Sequence, residues 1–277
     1  MTKFNFLKAH GLGNDFAIFT EKINLNISVK LIKFICDRKV GIGCDLVVFL
    51  SESENNYSDV VSRFFNRDGT EAEICGNALR CIGKYYFKKF NKTNLTVETN
   101  SGLIDVEKHD NGNISVDLGK PNLKWNKIPI NVDIDVRNLG LDFKYLRGGF
   151  ALNIGNPHII FFVDIINKKN LEADSIKILK KDLFPQGVNI TVVEVVSNNK
   201  LNILTYERGV GITNACGSGA GASVFASYKS KYCARNVEVF MSGGNLNVEI
   251  TKDEHILTIG EAIEVFEGRI NLEEYLK

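Results

Sequence analysis

The chain contains one short pattern twice, and each copy carries a Cys-Gly pair. The first copy covers residues 65–77 and the second covers residues 206–218, and the two align without a gap. Each has an aromatic residue, a free position and an arginine, followed eight residues after the arginine by Cys75-Gly76 or Cys216-Gly217. The cysteines are 141 residues apart. The pattern predicts a duplicated fold in which each half supplies one thiol.

The duplication extends beyond the two cysteines. Gly13-Asn14 matches Gly155-Asn156 at an offset of 142, and the turn Ser101-Gly102 matches Ser242-Gly243. A repeat of this length is far longer than the ~20–50 residues of a solenoid repeat. We therefore interpret the chain as a gene duplication of one folding unit.

Hydrophobic periodicity predicts the same order of elements in both halves. The first half is expected to contain a strand around residues 4–6, a helix at 28–38, strands at 46–50 and 59–65, a helix at 76–90, and strands at 95–99, 103–107 and 114–118. The second half is expected to contain a strand at 158–163, a helix at 171–181, strands at 190–196 and 201–206, a helix from Gly217, and strands at 236–240, 246–251 and 255–259. Residues 119–129 carry two of the four prolines and are the favoured linker. Residues 263–272 fit either a further strand or a return to the first domain.

Composition excludes several classes of protein. The 277 residues suggest about two domains. A formal net charge of +1, with Lys-rich stretches interrupted by Glu and Asp, gives no electrostatic case for nucleic acid. No apolar run approaches the ~20 residues that a membrane span needs. The N-terminus has no sustained apolar segment of the signal-peptide type, so we expect a cytoplasmic protein.

The six cysteines are expected to be reduced thiols. A chain of this length can bury its own core without disulfides, and a cytosol keeps thiols reduced. No Cys-x-x-Cys occurs and no histidine lies at zinc-finger spacing from a cysteine pair, so we expect no metal. Free cysteine is commonly buried, and this is the interpretation for Cys36, Cys44, Cys81 and Cys233.

A Cys-Gly pair at a helix start suggests a different role for the remaining two thiols. The first turn of a helix has N–H groups without helical partners and a positive potential, which lowers a thiol pKa and can hold a carboxylate. Two such helix starts predict one thiolate that removes an α-proton and one thiol that protonates the opposite face. This two-base transfer inverts an amino-acid stereocentre without pyridoxal phosphate.

Other polar residues are ambiguous when taken singly. Asparagine is common in turns for backbone reasons, which could explain Asn14, Asn66, Asn156 and Asn189. Glu207-Arg208 could be an exposed ion pair or could recognise the ammonium and carboxylate of a substrate. His158 is equally open to a structural interpretation.

The chain as a whole resembles the diaminopimelate epimerase family, which needs no cofactor. The resemblance is carried by several motifs in order: His10-Gly-Leu-Gly-Asn-Asp-Phe16, Asn66-Arg-Asp-Gly-Thr-Glu71, Cys75-Gly-Asn77, Arg80-Cys81, Gly155-Asn-Pro-His158, Phe184-Pro185 before Asn189, and Tyr206-Glu-Arg-Gly209 before Ala215-Cys-Gly-Ser-Gly-Ala220. It implies an α+β fold of two pseudo-symmetric domains, each a curved, mostly antiparallel sheet around a central helix, with the active site in the interdomain cleft. We place the domains at 1–121 and 122–263, with residues 264–277 as a candidate addition to the first.

The resemblance also implies the roles of individual residues. Cys75 and Cys216 would be the acid/base pair, with His158 and Glu207 in their environment. The substrate would be bound by Asn14, Asn66, Gly76, Asn77, Asn156, Asn189, Glu207, Arg208, Gly217 and Ser218. The partner would be a small amino acid, LL- or meso-2,6-diaminopimelate, on the route to lysine and peptidoglycan precursors. The enzyme would be a homodimer in the cytoplasm.

Two departures from the family pattern bear on the substrate. Leu46 replaces a usual glutamine, and Ile212 replaces a usual glutamate. A racemase or epimerase for another amino acid therefore stays an alternative. A thiol redox protein and a non-enzymatic binding protein are alternatives from other classes. Redox pairs normally lie close together in sequence, and a binding protein would not need both thiols.

Overall fold

The computed structural model describes residues 3–21 and 27–272. The chain forms two compact units. The first runs up to Val116 and resumes at Gly260, and the second is Asp117–Ile259. The chain passes from one unit to the other a few residues before each of the two domain boundaries that the sequence predicts. That these units are independent domains stays a prediction. Residues 273–277 of the predicted C-terminal segment lie outside the described residues.

The first unit consists mainly of strands with two helices. In chain order its elements are β1 (Lys3–Gly11), β2 (Asn14–Phe19), α1 (Val29–Cys36), β3 (Leu46–Glu52), β4 (Val60–Asn66), β5 (Glu71–Ala72), α2 (Gly76–Phe90), β6 (Asn94–Thr99), β7 (Gly102–Lys108) and β8 (Ile114–Asp117). The pairs β2–β3 and β4–β6 are parallel, and a helix lies in the connection of each, as a parallel crossover requires. The other pairs within this unit are antiparallel.

The core of the first unit forms where α1 covers the sheet. Ser28 begins this helix, and its side chain accepts a hydrogen bond from the Leu31 N–H. Leu31, Ile32 and Ile35 are fully buried on one helical face. They belong to one apolar cluster with Phe19 and Phe49, whose rings stack at 5.1 Å between centroids. Helix α2 packs on β1, β6 and β7.

The second unit repeats this order after an opening segment of its own. In chain order its elements are β9 (Leu141–Asp142), β10 (Arg147–Gly148), β11 (Phe150–Asn153), β12 (Pro157–Phe162), α3 (Lys168–Leu179), β13 (Asn189–Ser197), β14 (Lys200–Glu207), β15 (Gly211–Thr213), α4 (Gly217–Lys229), β16 (Asn236–Met241), β17 (Gly244–Ile250) and β18 (Ile256–Gly260). The parallel pairs β12–β13 and β14–β16 correspond to β2–β3 and β4–β6.

The register of the two units matches residue by residue near the strand ends. Phe16 pairs with Leu46 in the first unit, and His158 pairs with Asn189 at the corresponding place in the second. The repeated order and the prevalence of antiparallel pairs confirm the predicted α+β class with two similar halves. The match also defines equivalent positions, so that side chains can be compared between the units.

Two segments differ in detail from the sequence-based expectation. Residues 119–129, the favoured linker, pack on the second unit: Asn122 bridges Asn153, and Ile128 is fully buried in its core. Helix α3 begins earlier than expected because Asn167 caps it by accepting a hydrogen bond from the Asn170 N–H. Both differences arise from contacts that a local pattern does not reveal.

The last strand settles the ambiguity at the end of the chain. β19 (Ile263–Asn271) runs antiparallel to β1, from Lys3 opposite Asn271 to His10 opposite Ile263. The segment is therefore a strand and also returns to the first unit. Leu272, which follows it, is fully buried in the core of that unit.

The helices are short. α2 has 15 residues and α4 has 13, and nearly all of α4 is buried. Within residues 3–21 and 27–272, no helix combines the length and the apolar character that a membrane crossing requires.

Candidate active site

The first half of the candidate site lies at the start of α2. Cys75 is the N-cap of this helix, with extended backbone angles (φ −141°, ψ 103°), and its carbonyl accepts the first helical hydrogen bond from the Leu79 N–H at 2.9 Å. Its side chain is half-buried. The N–H groups of Gly76 and Asn77 belong to the first turn, where a helix offers no carbonyl partner. The thiol therefore lies beside backbone donors suited to an anion.

Asn14 connects the cysteine to the helix. It begins β2, and its Oδ1 lies 3.8 Å from Cys75 Sγ and accepts a hydrogen bond from Asn77 Nδ2 at 3.3 Å. Asn14 Nδ2 donates to Asp45 Oδ2 at 3.2 Å. The side chains of Asn14, Cys75 and Asn77, all predicted site residues, are thus brought together. Asp45 was not among the predicted site residues.

A group of charged residues supports Asn14 from the adjoining side. Arg38 donates two hydrogen bonds to the Asp15 carboxylate, at 2.7 and 2.9 Å, and Lys8 Nζ lies 2.6 Å from the same group. Burial would raise the pKa of Asp15, but these hydrogen bonds outweigh it and hold the pKa well below its usual range. Arg38 also bonds Asp45 at 2.9 Å. Charged side chains therefore fix the loop that orients Asn14.

Asn66 lies at the end of β4, in a turn. Its side chain donates to Thr70 Oγ1 at 3.1 Å rather than to the Asn14–Asn77 pair. Its strand partner is Leu46, the residue that departs from the family pattern. An apolar side chain therefore stands directly beside a predicted substrate-binding amide.

The second half of the candidate site lies at the start of α4 and has the same backbone form. Cys216 is the N-cap (φ −129°, ψ 103°) and is 6% exposed. Its sulfur accepts a hydrogen bond from the Gly219 N–H at 3.3 Å and lies 3.6 Å from Ser218 Oγ. Gly217 supplies the first residue of the helix. This sulfur is thus close to donors, which favour negative charge on it.

His158 is the central side chain of this half. Its Nε2 lies 2.9 Å from Asn156 Oδ1 and 3.0 Å from Ser218 Oγ, and Asn156 Nδ2 donates to the same hydroxyl at 3.3 Å. The ring is fully buried, and this desolvation, with a smaller effect of Arg208, lowers the pKa of His158 to about 3. His158 is therefore neutral at neutral pH, and it acts here as a hydrogen-bonding group rather than as a cation.

The remaining predicted residues of the second unit meet at the ends of β13 and β14. Asn189 Oδ1 accepts a hydrogen bond from the Arg208 N–H at 2.9 Å, and its amide donates to the Pro157 carbonyl at 3.2 Å. Arg208 Nη1 donates to the Gln186 carbonyl at 3.0 Å. Glu207 accepts a hydrogen bond from Thr213. Asn189, Glu207 and Arg208 are thus held by local hydrogen bonds.

The other four thiols are buried. Burial raises the pKa of Cys81 to about 12 and that of Cys233 to about 11. Cys36 and Cys44 lie in the core of the first unit, with their sulfurs 3.7 Å apart. In the part of the chain that the structure describes, no three His, Cys, Asp or Glu side chains are placed to hold a metal ion.

Comparison with known proteins points to one family. The family model described as diaminopimelate epimerase matches residues 6–124 and 150–265. A protein of Carboxydothermus hydrogenoformans named diaminopimelate epimerase is 42% identical over 95% of this chain and 98% of its own length. A protein of the same name from Erythrobacter litoralis is 35% identical, over 99% of each chain.

Solved structures agree on the fold. A probable proline racemase from Agrobacterium radiobacter K84 superposes with a TM-score of 0.73 over 97% of this chain and 93% of its own. The two sequences are 13% identical. The likeness therefore concerns the architecture alone.

Proposed function

The chain belongs to the diaminopimelate epimerase family and is an isomerase, and from that premise we propose that it interconverts LL- and meso-2,6-diaminopimelate with Cys75 and Cys216 as the acid/base pair. The observation that carries this proposal is the identical placement of the two thiols. Each is the extended N-cap of a helix, eight residues after an arginine that directly follows a strand. No pyridoxal phosphate or metal takes part in the proposed reaction.

The proposed reaction moves one proton off the α-carbon and another onto it. A thiolate accepts the α-proton and becomes a thiol, and the electron pair stays on the carbon, delocalised into the α-carboxylate. The second thiol protonates the opposite face and becomes the thiolate. Charge is conserved, the stereocentre is inverted, and the two sulfurs exchange protonation states. A bell-shaped pH profile follows, since one sulfur must be ionised and the other not.

The carboxylate at the reacting carbon needs stabilisation as its negative charge grows. We assign this to the first-turn N–H groups of both helices, from Gly76 and Asn77 and from Gly217 and Ser218. Preorganised donors of this kind act without reorganisation at the moment of reaction, and removing one typically costs ~10²–10³ in rate.

The distal end of diaminopimelate carries a second amino-acid group. We assign its recognition to the amides Asn14, Asn66, Asn156 and Asn189, with Glu207 and Arg208. Most of these side chains already hold defined hydrogen bonds, which lowers the ordering cost of binding. Arg208 can pair with a carboxylate and Glu207 with an ammonium. His158 and Glu207 would tune the acid/base groups.

The test is isotopic. In heavy water, pure LL-diaminopimelate should gain deuterium at the inverted α-carbon, with no change in the number of free thiols. A panel of amino acids with one charged end should react poorly. Faster turnover of an amino acid with one charged end would reassign the substrate. This outcome is tested because the apolar Leu46 lies beside Asn66. Consumption of thiols during turnover would indicate redox chemistry instead.

We further propose that the enzyme works in the cytoplasm as a homodimer. A reducing compartment keeps both thiols available for proton transfer. Ile263 and Val265 of β19 have exposed apolar side chains, which a second copy could cover. Sedimentation analysis of the wild type and of Val265→Lys would test this: a wild-type monomer at micromolar concentration would contradict it.

A further inference from the structure

In the part of the chain that the structure describes, Arg80 is a buried cation with no hydrogen bond to a carboxylate. It lies in α2 and is fully buried. Its Nη2 donates to Asn77 Oδ1 at 2.5 Å and its Nε donates to the Glu261 carbonyl at 3.3 Å. Its Nη1 has no hydrogen-bond partner among residues 3–21 and 27–272. Both acceptors are neutral groups, whereas buried charges in proteins are normally paired with an opposite charge.

The ionisable groups around Arg80 narrow the choice of counter-ion. Desolvation lowers the pKa of Arg80 to about 10, so the guanidinium still carries its charge at neutral pH, and the groups whose charge acts on it are Cys81 and Cys75. Burial raises the pKa of Cys81 to about 12, which keeps that thiol neutral. The charges of Lys84 and Glu264 have opposite effects on the pKa of Cys81. Cys75, which is only half-buried, is therefore the sulfur of the two that is better placed to carry a negative charge.

A hydrogen-bond chain leads from Arg80 to that sulfur. Arg80 holds Asn77 by its oxygen, which directs Asn77 Nδ2 to Asn14 Oδ1 at 3.3 Å, and this oxygen lies 3.8 Å from Cys75 Sγ. Asp45 accepts from the other end of Asn14. The charged groups beyond it, Asp15, Lys8 and Arg38, are bonded to one another. The chain ends on an oxygen that accepts from the Cys75 thiol, so it offers no hydrogen-bond donor to the thiolate. It places the buried guanidinium two side chains away from the sulfur, where its charge can act on Cys75 through space.

The second unit has no such cation at the equivalent position. Five residues after Cys216 the chain has Gly221, where an added Cβ would lie 2.9 Å from Ile256 and 3.0 Å from Ile154. Apolar packing thus occupies the place of the guanidinium. Cys216 instead has the Gly219 N–H and the Ser218 hydroxyl as neighbours.

From these observations we propose that the buried positive charge of Arg80 stabilises the thiolate form of Cys75 through space when Cys75 acts as the base. The proposal rests on the acid/base role of Cys75 in the proposed function. It explains why the buried side of α2 carries a charge where an apolar side chain could pack instead. It also means that negative charge is stabilised differently on Cys75 and on Cys216.

The test compares two variants that differ in charge. Arg80→Lys keeps a positive charge, and Arg80→Gln keeps a donor for Asn77 without the charge. The alkylation rate of each cysteine by iodoacetamide is followed by mass spectrometry over a pH series, in the absence of substrate. The matched control is Lys84→Gln, which removes a cation one turn further along α2 that donates to the neighbouring carbonyl of Ala262.

We expect the apparent pKa of Cys75 to rise by about one unit or more in Arg80→Gln, and by less than half of that in Arg80→Lys. Cys216 in the same protein should not shift, and neither should Cys75 in Lys84→Gln. Equal Cys75 profiles in the Gln and Lys variants would overturn the proposal. So would a Cys216 shift as large as that of Cys75.

Buried Cys81 reports on folding in the same experiment. If Arg80→Gln unfolds, Cys81 will react as fast as Cys75. The proposal is then tested by comparing the Cys75 alkylation profile of Arg80→Lys with that of the wild type. A folded Lys variant whose Cys75 pKa rises measurably but by less than about half a unit supports the role of charge, and one with no shift or with a shift of a full unit contradicts it. Because no substrate is present, failure here is distinct from failure of the deuterium experiment.

Discussion

The starts of α2 and α4 have nearly the same backbone and quite different surroundings. Both N-caps are cysteines with ψ of 103°, both precede glycine, and both follow matching strand pairs. The side chains around them have diverged: the first has Phe16 and Arg80 where the second has His158 and Gly221. The duplication has thus kept the geometry of the thiols while each half has acquired its own means of controlling charge.

This division suits the proposed reaction, in which the two sulfurs must never be in the same protonation state. Two identical surroundings would give two equal thiol pKa values, whereas unequal ones bias which sulfur carries the proton before substrate arrives. The difference between the two units can be tested by replacing one side chain at a time.

The largest expected effect comes from removing either sulfur. Cys75→Ala and Cys216→Ala should each lower epimerisation by at least about a thousandfold, because a proton donor or acceptor is lost on one face. Each variant keeps one thiolate, so it should still exchange the α-hydrogen of a single isomer, and the two variants should differ in which isomer. Proton NMR of both isomers in heavy water measures this.

The control for these variants is Cys81→Ala, which removes a buried thiol from α2 without touching the candidate site. It should epimerise at a rate close to that of the wild type. Full epimerase activity in either catalytic variant would refute the two-thiol reaction.

The next effect concerns acid stability and belongs to the second unit. The pKa of His158 is lowered from 6.5 to about 3 by burial, so below pH 6.5 the unfolded chain binds a proton that the native chain does not. Stability should therefore be complete above pH 6.5 and fall by about 1.4 kcal/mol per pH unit as the pH drops below it. Urea unfolding between about pH 5 and pH 8 measures the slope, since carboxyl groups titrate mainly below that range.

The matched variant is His158→Gln, which keeps a hydrogen-bonding side chain and cannot titrate. Its unfolding free energy should be nearly independent of pH over the same range. If the variant keeps the wild-type slope, His158 is not the group responsible for it. Phe16 is the equivalent residue in the first unit. It has no titratable group, so we expect no such pH dependence from that position.

The smallest effect tests a feature that the units share. Ser28 and Asn167 cap the equivalent helices α1 and α3. Ser28→Ala and Asn167→Ala should each lower the free energy of unfolding by about 1 kcal/mol, because one first-turn N–H loses its acceptor. Urea unfolding checks this, and activity per folded molecule should not change. A loss of activity at full folding would connect these caps to the site.

The sequence predicted the parts of this arrangement that depend on local periodicity and on repetition. The helix beginning at Gly76, the strands at 95–99 and 103–107, and the halves related by an offset of 141 or 142 are all seen in the structure. Strand pairs such as β9–β10 involve two residues each, which is too short for an alternation to be detected. Long-range packing decides such elements, and one sequence does not show it.

The supporting residues of the site illustrate the same limit. Arg80 stood within a recognised motif, but its position in an amphipathic helix gives no sign that it is fully buried. Asp45 orients Asn14 across 31 positions of sequence, a relation that appears only when β2 and β3 pair. The one available signal was the mismatch between Arg80 and Gly221 in otherwise aligned halves. Positions at which two duplicated halves differ can therefore indicate function as well as positions at which they match.

The return of β19 to β1 has a consequence for biosynthesis. The second unit is one continuous stretch of chain, whereas the first lacks a strand and the buried Leu272 until the whole second unit has been synthesised. Of the two units, the one whose synthesis starts earlier is therefore completed later. A chain halted at Gly260 should resist protease in its later part and be digested in its earlier part, and equal resistance of both would show that the terminal strand is dispensable for assembly.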